Sequence, residues 1–191
     1  MKYTYLLLLV LLACTNKEIQ TDYYPNSQLM YSKEFLNGVK NGKTYFFKEN
    51  GDTSAVENYS NGMLHGRQVV YYQGGDIQFQ YYENGVKQGS DSTFYKNGQL
   101  GSVGNFVNGK QIGTWTHYHK TGEFWFETEW KNGQQEGSMN SFHPNGNKET
   151  ECIIINGKLE GVASFYDSTG ILIRQIVYEH SIPLDTIKKS R

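Results

Sequence analysis

The sequence predicts an all-β protein, a single curved antiparallel β-meander of about 14 strands built from seven hairpin repeats of 24 residues. Three observations predict it: glycines recur at a fixed spacing, aromatic residues keep the same period, and segments of about 8–10 residues, a strand length, separate the turns. With 191 residues, 15% aromatic, 21 Gly and 3 Pro, the chain fits one domain of many short strands.

Glycine marks the repeat in three series. The first stands in the first turn of each unit, with steps of 24 residues except for one of 23; the second follows an asparagine; the third lies four residues later. The members are Ser27, Gly51, Gly75, Gly98, Gly122, Gly146 and Gly170; Gly38, Gly62, Gly85, Gly109, Gly133 and Gly157; and Gly42, Gly66, Gly89, Gly113, Gly137 and Gly161, with Ser181 and Asp185 completing the last two series. These units fill residues 23–185.

Two aromatic columns decide which first turn the sequence predicts. One column includes Phe47 and precedes the first turn, and the other includes Tyr59 and precedes the second turn. A two-residue loop at Asn50-Gly51 would send Phe47 and Tyr59 to opposite faces. A three-residue loop ending in Gly pairs Phe47 with Thr53 and predicts both columns on one face. We therefore expect type I turns with Gly as a left-handed bulge residue.

One repeat is a residue short. The 23-residue step falls between Gly75 and Gly85. Because strand faces alternate with a period of two, the parity must slip in this unit. The sequence predicts either a different turn or a changed bulge there.

The first 14 residues, MKYTYLLLLVLLAC, predict a signal peptide that ends at Cys14. The apolar run from Leu6 to Leu12 is too short to span a bilayer. Its ending, LLAC, resembles the lipobox of bacterial lipoproteins, which implies lipidation of Cys14 and a lipid-anchored position in the cell envelope, periplasmic or at the cell surface. An ordinary secretion signal is the alternative.

The remaining segments follow from this leader. Residues 15–22 are expected to form a short polar tether, and residues 186–191 a polar tail whose Lys and Arg guard the last sheet edge. If Cys14 is modified, Cys152 is the remaining thiol, so no intrachain disulfide is expected. Cys152 shares a face with Ile154 by alternation, which predicts a buried, inert thiol.

The repeat units resemble the MORN-repeat variants of bacteria. The stretches that carry the resemblance are YFFKENG with ENYSNGMLHG, STFYKNGQL with GNFVNGKQIG, and WTHYHKTGEF with TEWKNGQQEG. The resemblance covers nearly all of the chain after the leader. It implies a continuous curved sheet and a non-enzymatic, protein-binding role. Such proteins are commonly described as antitoxin components; an exported version would be an immunity-type or envelope scaffold protein.

A cluster of Trp and His residues around the turn at Gly122 is the predicted binding site. His117 and His119 alternate along one strand, and parity puts Trp115 and Trp125 on the same face. The predicted pairs are His117 with Trp125, His119 with Glu123, and Trp115 with Glu127. The patch fits a partner-binding hot spot, a sugar platform, an adventitious metal site with Glu123, or a solvated sheet face. Two His on one strand lack the further ligands of a zinc site, so no metal is predicted.

Catalysis and nucleotide binding are not predicted. GVKNGKT, residues 38–44, misses a phosphate-binding loop by one residue, and the acidic residues form no recurring pair for acid–base work. A formal charge of −1 without a basic run excludes nucleic acid as the main partner. We therefore expect a membrane-anchored repeat scaffold without a cofactor that binds another protein. The alternatives are a cell-wall or glycan-binding lipoprotein and, less well supported, an enzyme.

Overall fold

The computed structural model describes residues 16–188 and contains strands only. The strands are β1 (Lys17–Tyr23), β2 (Leu29–Leu36), β3 (Val39–Phe47), β4 (Thr53–Ser60), β5 (Met63–Leu64), β6 (Gly66–Tyr71), β7 (Ile77–Glu83), β8 (Val86–Lys87), β9 (Gly89–Phe94), β10 (Leu100–Val107), β11 (Lys110–Tyr118), β12 (Phe124–Lys131), β13 (Gln134–Phe142), β14 (Lys148–Ile155), β15 (Lys158–Tyr166), β16 (Leu172–Glu179) and β17 (Ile182–Lys188).

These strands form one open, curved antiparallel sheet, which confirms the predicted fold class. Each strand pairs with its neighbour in sequence, from β1 with β2 through to β16 with β17. The short β5 and β8 are the first pieces of strands that continue as β6 and β9. The meander therefore repeats one hairpin along the described chain, as the glycine spacing predicts.

The sheet is wider than predicted at both ends. Residues 15–22 were expected to be a tether, but β1 begins at Lys17 and pairs with β2 through Lys17–Leu36 and Asp22–Tyr31. Similarly, β17 takes residues 186–188 of the expected tail into the sheet. Both segments join because an adjacent strand offers them backbone partners. The predicted leader, with Cys14, lies outside the described residues.

The first turn of each unit has the predicted three-residue loop. Phe47 pairs with Thr53, the Lys48 amide donates to the Asp52 carbonyl at 2.8 Å, and Gly51 has φ of +88°. Proline occupies the second turn position at Pro25 and at the equivalent position 144, where its fixed negative φ suits a type I turn.

The second turn of a unit also contains Asn-Gly, but with a different loop length. It is a two-residue loop in which Asn has φ between +48° and +53° and Gly between +75° and +83°. Two successive left-handed residues define a type I′ turn, whose twist matches that of the flanking strands. Leu36 pairs with Val39 across the first of these loops, and the later units repeat the pairing.

A bulge after the first turn separates the two aromatic columns, so the prediction that they share a face is wrong. Phe47 pairs with Thr53, but Phe46 pairs with Ala55, which leaves Ser54 as an extra residue. Tyr59 then pairs with Gly42, on the face of Phe46. We call the two sides of the sheet the Phe47 face and the Tyr59 face.

The 23-residue unit lacks this bulge. From Gly66–Tyr82 to Tyr71–Ile77 the register between β6 and β7 is continuous, whereas the other first-turn hairpins shift by one residue. The missing residue is therefore the bulge residue, and the second of the two predicted explanations is confirmed.

Hydrogen bonds also join neighbouring repeats along both rows of turns, at the two ends of the strands. At the first turns, the hydroxyl of Tyr24 donates to the Phe47 carbonyl and that of Tyr95 to the Tyr118 carbonyl, both at 2.8 Å. At the second turns, a Gly amide donates to the previous turn, as from Gly62 to the Lys40 carbonyl at 2.8 Å. These bonds satisfy loop backbone groups that the ladders leave open.

The apolar side of the sheet changes along the chain. On the Tyr59 face, the central row runs Thr44, Glu57, Gln68, Gln80, Asp91, Gly104, then Trp115, Thr128, Met139, Cys152, Ala163, Ile176. On the Phe47 face it runs Tyr45, Val56, Val69, Phe79, Ser92, Val103, then Thr116, Glu127, Asn140, Glu151, Ser164, Gln175. The Tyr59 face is thus polar before β11 and mostly apolar after it, and the Phe47 face shows the reverse.

Candidate functional site

The predicted patch lies on β11, β12 and the turn between them, where the bulge changes its pairing. His117 pairs with Phe126 and Trp115 with Thr128, so the predicted partners Trp125 and Glu127 are wrong. The one-residue shift makes Trp125 the extra residue of the bulge, which moves every later pair by one. The contact of His119 with Glu123 is confirmed at the backbone, where the His119 amide donates to the Glu123 carbonyl at 2.8 Å.

Four aromatic rings meet at this point, and we call them the ring cluster: His117, His119, Trp125 and Phe126. His117 stacks on Phe126 with centroids 4.1 Å apart, Trp125 meets Phe126 edge-on at 4.7 Å, and His119 tilts against Trp125 at 5.1 Å. Trp125 remains 40% exposed. Such a cluster offers a partner an aromatic anchor with polar ring nitrogens beside it.

Two predicted members of the patch lie elsewhere. Trp115 shares a face with His117 but is only 8% exposed, and its ring packs edge-on against Phe106 at 5.4 Å. Glu127 pairs with Thr116 on the Phe47 face, where it accepts a hydrogen bond from Asn140 at 3.4 Å. Trp115 is thus part of the core, and Glu127 belongs to the opposite side.

His119 does not form the bond to the next repeat that some of the equivalent first-turn residues form. At the equivalent positions, Tyr95 donates to the Tyr118 carbonyl and the Nε2 atom of His143 lies 3.0 Å from the Tyr166 carbonyl. The His119 ring packs on Trp125 instead, and its Nε2 atom is buried without a hydrogen-bond partner among residues 16–188. A buried polar atom without a partner destabilises the folded state.

Glu123 lies at the rim of the ring cluster. Hydrogen bonds from the Thr121 hydroxyl and from its own backbone amide hold the pKa of the Glu123 carboxyl below its usual value, and His119 adds a weaker attraction. Glu123 is exposed, so its charge is available to a ligand.

Protonation of His117 should destabilise the sheet. Burial lowers the pKa of His117 below 6.5, so the unfolded chain binds this proton more readily. We expect the free energy of unfolding to fall as the pH decreases below about 6.5. His117→Phe keeps a ring packed on Phe126 and should flatten this pH dependence. The measurement is urea-induced unfolding at pH values between 5 and 7, spaced by about 0.5 pH unit.

The control for this prediction is His65→Phe, because His65 lies in a second turn region far from the ring cluster. A pH slope that persists unchanged in His117→Phe would contradict the assignment.

Cys152 is buried, as predicted, with 7% of its surface exposed. Its Sγ atom lies 3.8 Å from the Met139 carbonyl, and burial raises the pKa of the thiol. The thiol therefore stays protonated and unreactive at neutral pH.

Residues 16–188 contain no group of three or more potential metal ligands. No helix there is long and apolar enough to cross a bilayer.

One hairpin of the sheet matches a known family. It consists of β15 and β16, and the matching segment is residues 159–180. The matching family is the MORN repeat variant. The hairpins β3–β4, β9–β10 and β13–β14 have the same one-residue shift after the first turn as β15–β16, whereas the β6–β7 hairpin lacks it. No curated protein sequence matches the chain. MORN repeat domains are generally non-catalytic repeat scaffolds.

Proposed function

We propose that the chain is a non-enzymatic, membrane-anchored MORN-type scaffold that binds another protein through the ring cluster. The observation that carries the proposal is the exposed Trp125 ring, which the Phe126 and His119 rings hold in place. Interface hot spots are enriched in Trp, and a rigid ring loses little entropy on binding.

The anchor is proposed from the leader sequence LLAC at residues 11–14. Lipidation of Cys14 would hold the first hairpin at the membrane, because β1 begins three residues later at Lys17. The strand of His117 is the ninth position from that end, counting the β5–β6 and β8–β9 pieces as single strands. At about 4.8 Å per strand, the ring cluster lies roughly 38 Å along the sheet from β1.

An antitoxin or immunity-type role is the finer form of this proposal. It rests on the family resemblance and on the exported leader, which would direct the chain against a toxin that acts at the envelope. Co-expression of the chain with the captured partner should then restore growth if the partner is toxic by itself.

Capture from envelope extracts tests the ring cluster. The wild-type chain should retain one specific protein, and Trp125→Ala should weaken its binding by about thirtyfold, the effect of losing a hot spot of about 2 kcal/mol. The matched control is Tyr81→Ala, which removes another exposed ring, 52% exposed, on the Phe47 face. Equal losses in both variants would contradict the proposal.

Glycan binding is the second candidate, favoured by the same exposed Trp125, because sugar rings stack on aromatic faces. It predicts retention of the chain on insoluble cell wall, lost in Trp125→Ala and kept in Tyr81→Ala. Specific capture of a protein with no retention on cell wall would exclude it.

A further inference from the structure

A pocket of about 630 Å³ lies across β14, β15 and β16. Its lining includes Thr150 of β14, Phe165 of β15, and Ile173 and Arg174 of β16. Sites that hold small ligands or side-chain anchors have volumes of about 300–1,000 Å³. We call this site the Arg174 pocket.

One row of cross-strand pairs joins the Arg174 pocket to the ring cluster. On the Tyr59 face, the row runs Phe126, Ser141, Thr150, Phe165, Arg174, each residue pairing with the next. Neighbouring strands are about 4.8 Å apart, so Phe126 and Phe165 are separated by roughly 14 Å along the sheet. A single partner surface can therefore contact both places.

The bulge residues of three successive repeats stand along this row. The extra residue is Trp125 in β12, Glu149 in β14 and Ile173 in β16. Trp125 is 40% exposed and Ile173 is 56% exposed. The two bulges before them have the smaller residues Gly101 and Ser54. The later repeats thus present large side chains at a position where the two earlier bulges present little.

Arg174 supplies the positive charge of the pocket. Its guanidinium lies over the Phe165 ring, 4.8 Å from the centroid, and the residue is exposed. The ion pairs among residues 16–187, the range with described side chains, do not include Arg174. A guanidinium held on a ring still presents its edge N–H donors, which match a carboxylate in geometry.

The two acidic residues of the pocket bond to other groups. Asp167 accepts hydrogen bonds within its own turn, from the Thr169 hydroxyl at 2.6 Å and from the Ile171 amide at 3.0 Å. Glu149 accepts a hydrogen bond from the Ser141 hydroxyl at 3.1 Å. The group that complements the Arg174 guanidinium is therefore expected from a ligand.

We infer that the Arg174 pocket is a second anchor point for the partner protein: an aliphatic side chain packs on Phe165 and Ile173, and a neighbouring carboxylate pairs with Arg174. This inference rests on the proposed protein-binding function and specifies the chemistry of the partner. The anchors at Trp125 and in the pocket are three to four strands apart, or about 14–19 Å. An extended partner segment covers that distance with about four to six residues.

Affinity measurements on the captured partner test the second anchor. Ile173→Ser and Arg174→Gln should each weaken binding by about tenfold, because one removes an apolar contact and the other a charge-assisted hydrogen bond. The control for the first is Ile171→Ser, which changes a 58% exposed isoleucine outside the pocket lining. The control for the second is Arg67→Gln, because that guanidinium also lies on a ring, 4.0 Å from the Phe79 centroid. Both controls should bind as the wild type does.

A small probe tests the pocket without the partner. N-acetyl-leucyl-glutamate amide combines an aliphatic side chain with a carboxylate. Added to the isotope-labelled full chain, it should shift the amide signals of Phe165, Ile173 and Arg174 in a saturable way. N-acetyl-leucyl-glutamine amide has the same shape without the charge and should bind about tenfold more weakly. Arg174→Gln should bind the two probes equally, because the charged group that distinguishes them is gone.

Several outcomes would overturn the inference. They are the absence of saturable binding of the glutamate probe, equal binding of both probes to the wild type, and equal losses of the partner in a variant and its control. A dimer of the chain that Ile173→Ser dissociates would also overturn it, in favour of a second copy.

The two proposals can fail separately. If Trp125→Ala loses the partner while Ile173→Ser and Arg174→Gln retain it at full affinity, the second anchor is wrong and the ring cluster stands. If the glutamate probe binds as expected while no partner is captured through Trp125, the ring cluster proposal is wrong and the ligand chemistry of the Arg174 pocket stands.

Discussion

Gly104→Ala should lower the free energy of unfolding by about 3 kcal/mol, the upper part of the range for overpacking a core. A Cβ atom at Gly104 would lie 2.1 Å from the Cδ2 and Cε2 atoms of the Trp115 indole. That ring is 8% exposed and already packs edge-on against Phe106, so it has little room to move. The gap left by the glycine is therefore what admits the indole to the central row of the Tyr59 face.

A double-mutant cycle tests this interpretation. Trp115→Ala by itself should cost about 3–5 kcal/mol through loss of the buried ring. In the double variant, the methyl group introduced by Gly104→Ala no longer meets an indole ring. The loss of unfolding free energy in the double variant should therefore be smaller than the sum of the two single losses by at least about 1 kcal/mol. Urea-induced unfolding followed by circular dichroism gives the three values.

Gly157→Ala is the matched control, because a Cβ atom there meets nothing within 4 Å and only the positive φ of +75° opposes it. It should cost about 1–2 kcal/mol and add independently to Trp115→Ala. Strict additivity of Gly104→Ala with Trp115→Ala would show that the two residues do not compete for the same space.

The fold was predictable because recurring residues mark its turns. A turn position with positive φ strongly favours glycine, so the glycines equivalent to Gly51 and Gly38 show where each loop lies. The two turn types were also distinguishable in principle. Pro25, at the second position of a first turn, excludes the positive φ that a type I′ turn requires there.

The faces were not predictable from alternation alone. Ser54 and Trp125 are extra residues in bulges that carry no Gly or Pro, and one extra residue reverses all later side chains of the strand. The spacing of the 23-residue repeat was the one indication of where the bulge lies. Its missing residue falls just after Ile77, at the place where the other units have their bulge.

The candidate site was predicted in part for the same reason. Alternation placed His117 and His119 together correctly, because no bulge falls between them at the end of β11. Phe126 was missed and Glu127 was placed in the patch, because both assignments depend on the register across the bulge. The burial of Trp115 depends on Gly104, a contact between neighbouring repeats that the period alone does not reveal.

The change of apolar side at β11 could have been found in the sequence once the register was known. The central row of the Tyr59 face contains Glu57 and Asp91 in the first half, but Met139 and Ile176 in the second half. Several side chains of the polar half bond to one another: Gln68 donates to Glu57 at 2.9 Å, as Gln78 does to Asp91. This half of the row therefore replaces an apolar core with a hydrogen-bonded one.

Asp91→Leu should be the most destabilising single change in this polar half. The Asp91 side chain is 3% exposed and forms an ion pair with Lys87, whose side chain is 20% exposed. It also accepts hydrogen bonds from Gln78 at 2.9 Å and Gln80 at 3.4 Å. Removing the carboxylate leaves the Lys87 ammonium without its counter-ion and the side-chain amides of Gln78 and Gln80 without their acceptor. Breaking such a buried pair costs about 3–5 kcal/mol of unfolding free energy.

The neutral double variant Lys87→Met/Asp91→Leu separates the charge from the packing. Removing both charges should recover about 1–2 kcal/mol relative to Asp91→Leu, although Gln78 and Gln80 still lack their acceptor. Lys148→Met is the control, because its pair with Glu151 has side chains 39% and 40% exposed and should contribute less than about 1 kcal/mol. If the double variant is no more stable than Asp91→Leu, the cost lies in the lost amide hydrogen bonds and not in a buried unpaired ammonium. The polar row would then be held together by its glutamines, with Lys87 contributing mainly through its position 4.1 Å from the Phe106 ring centroid.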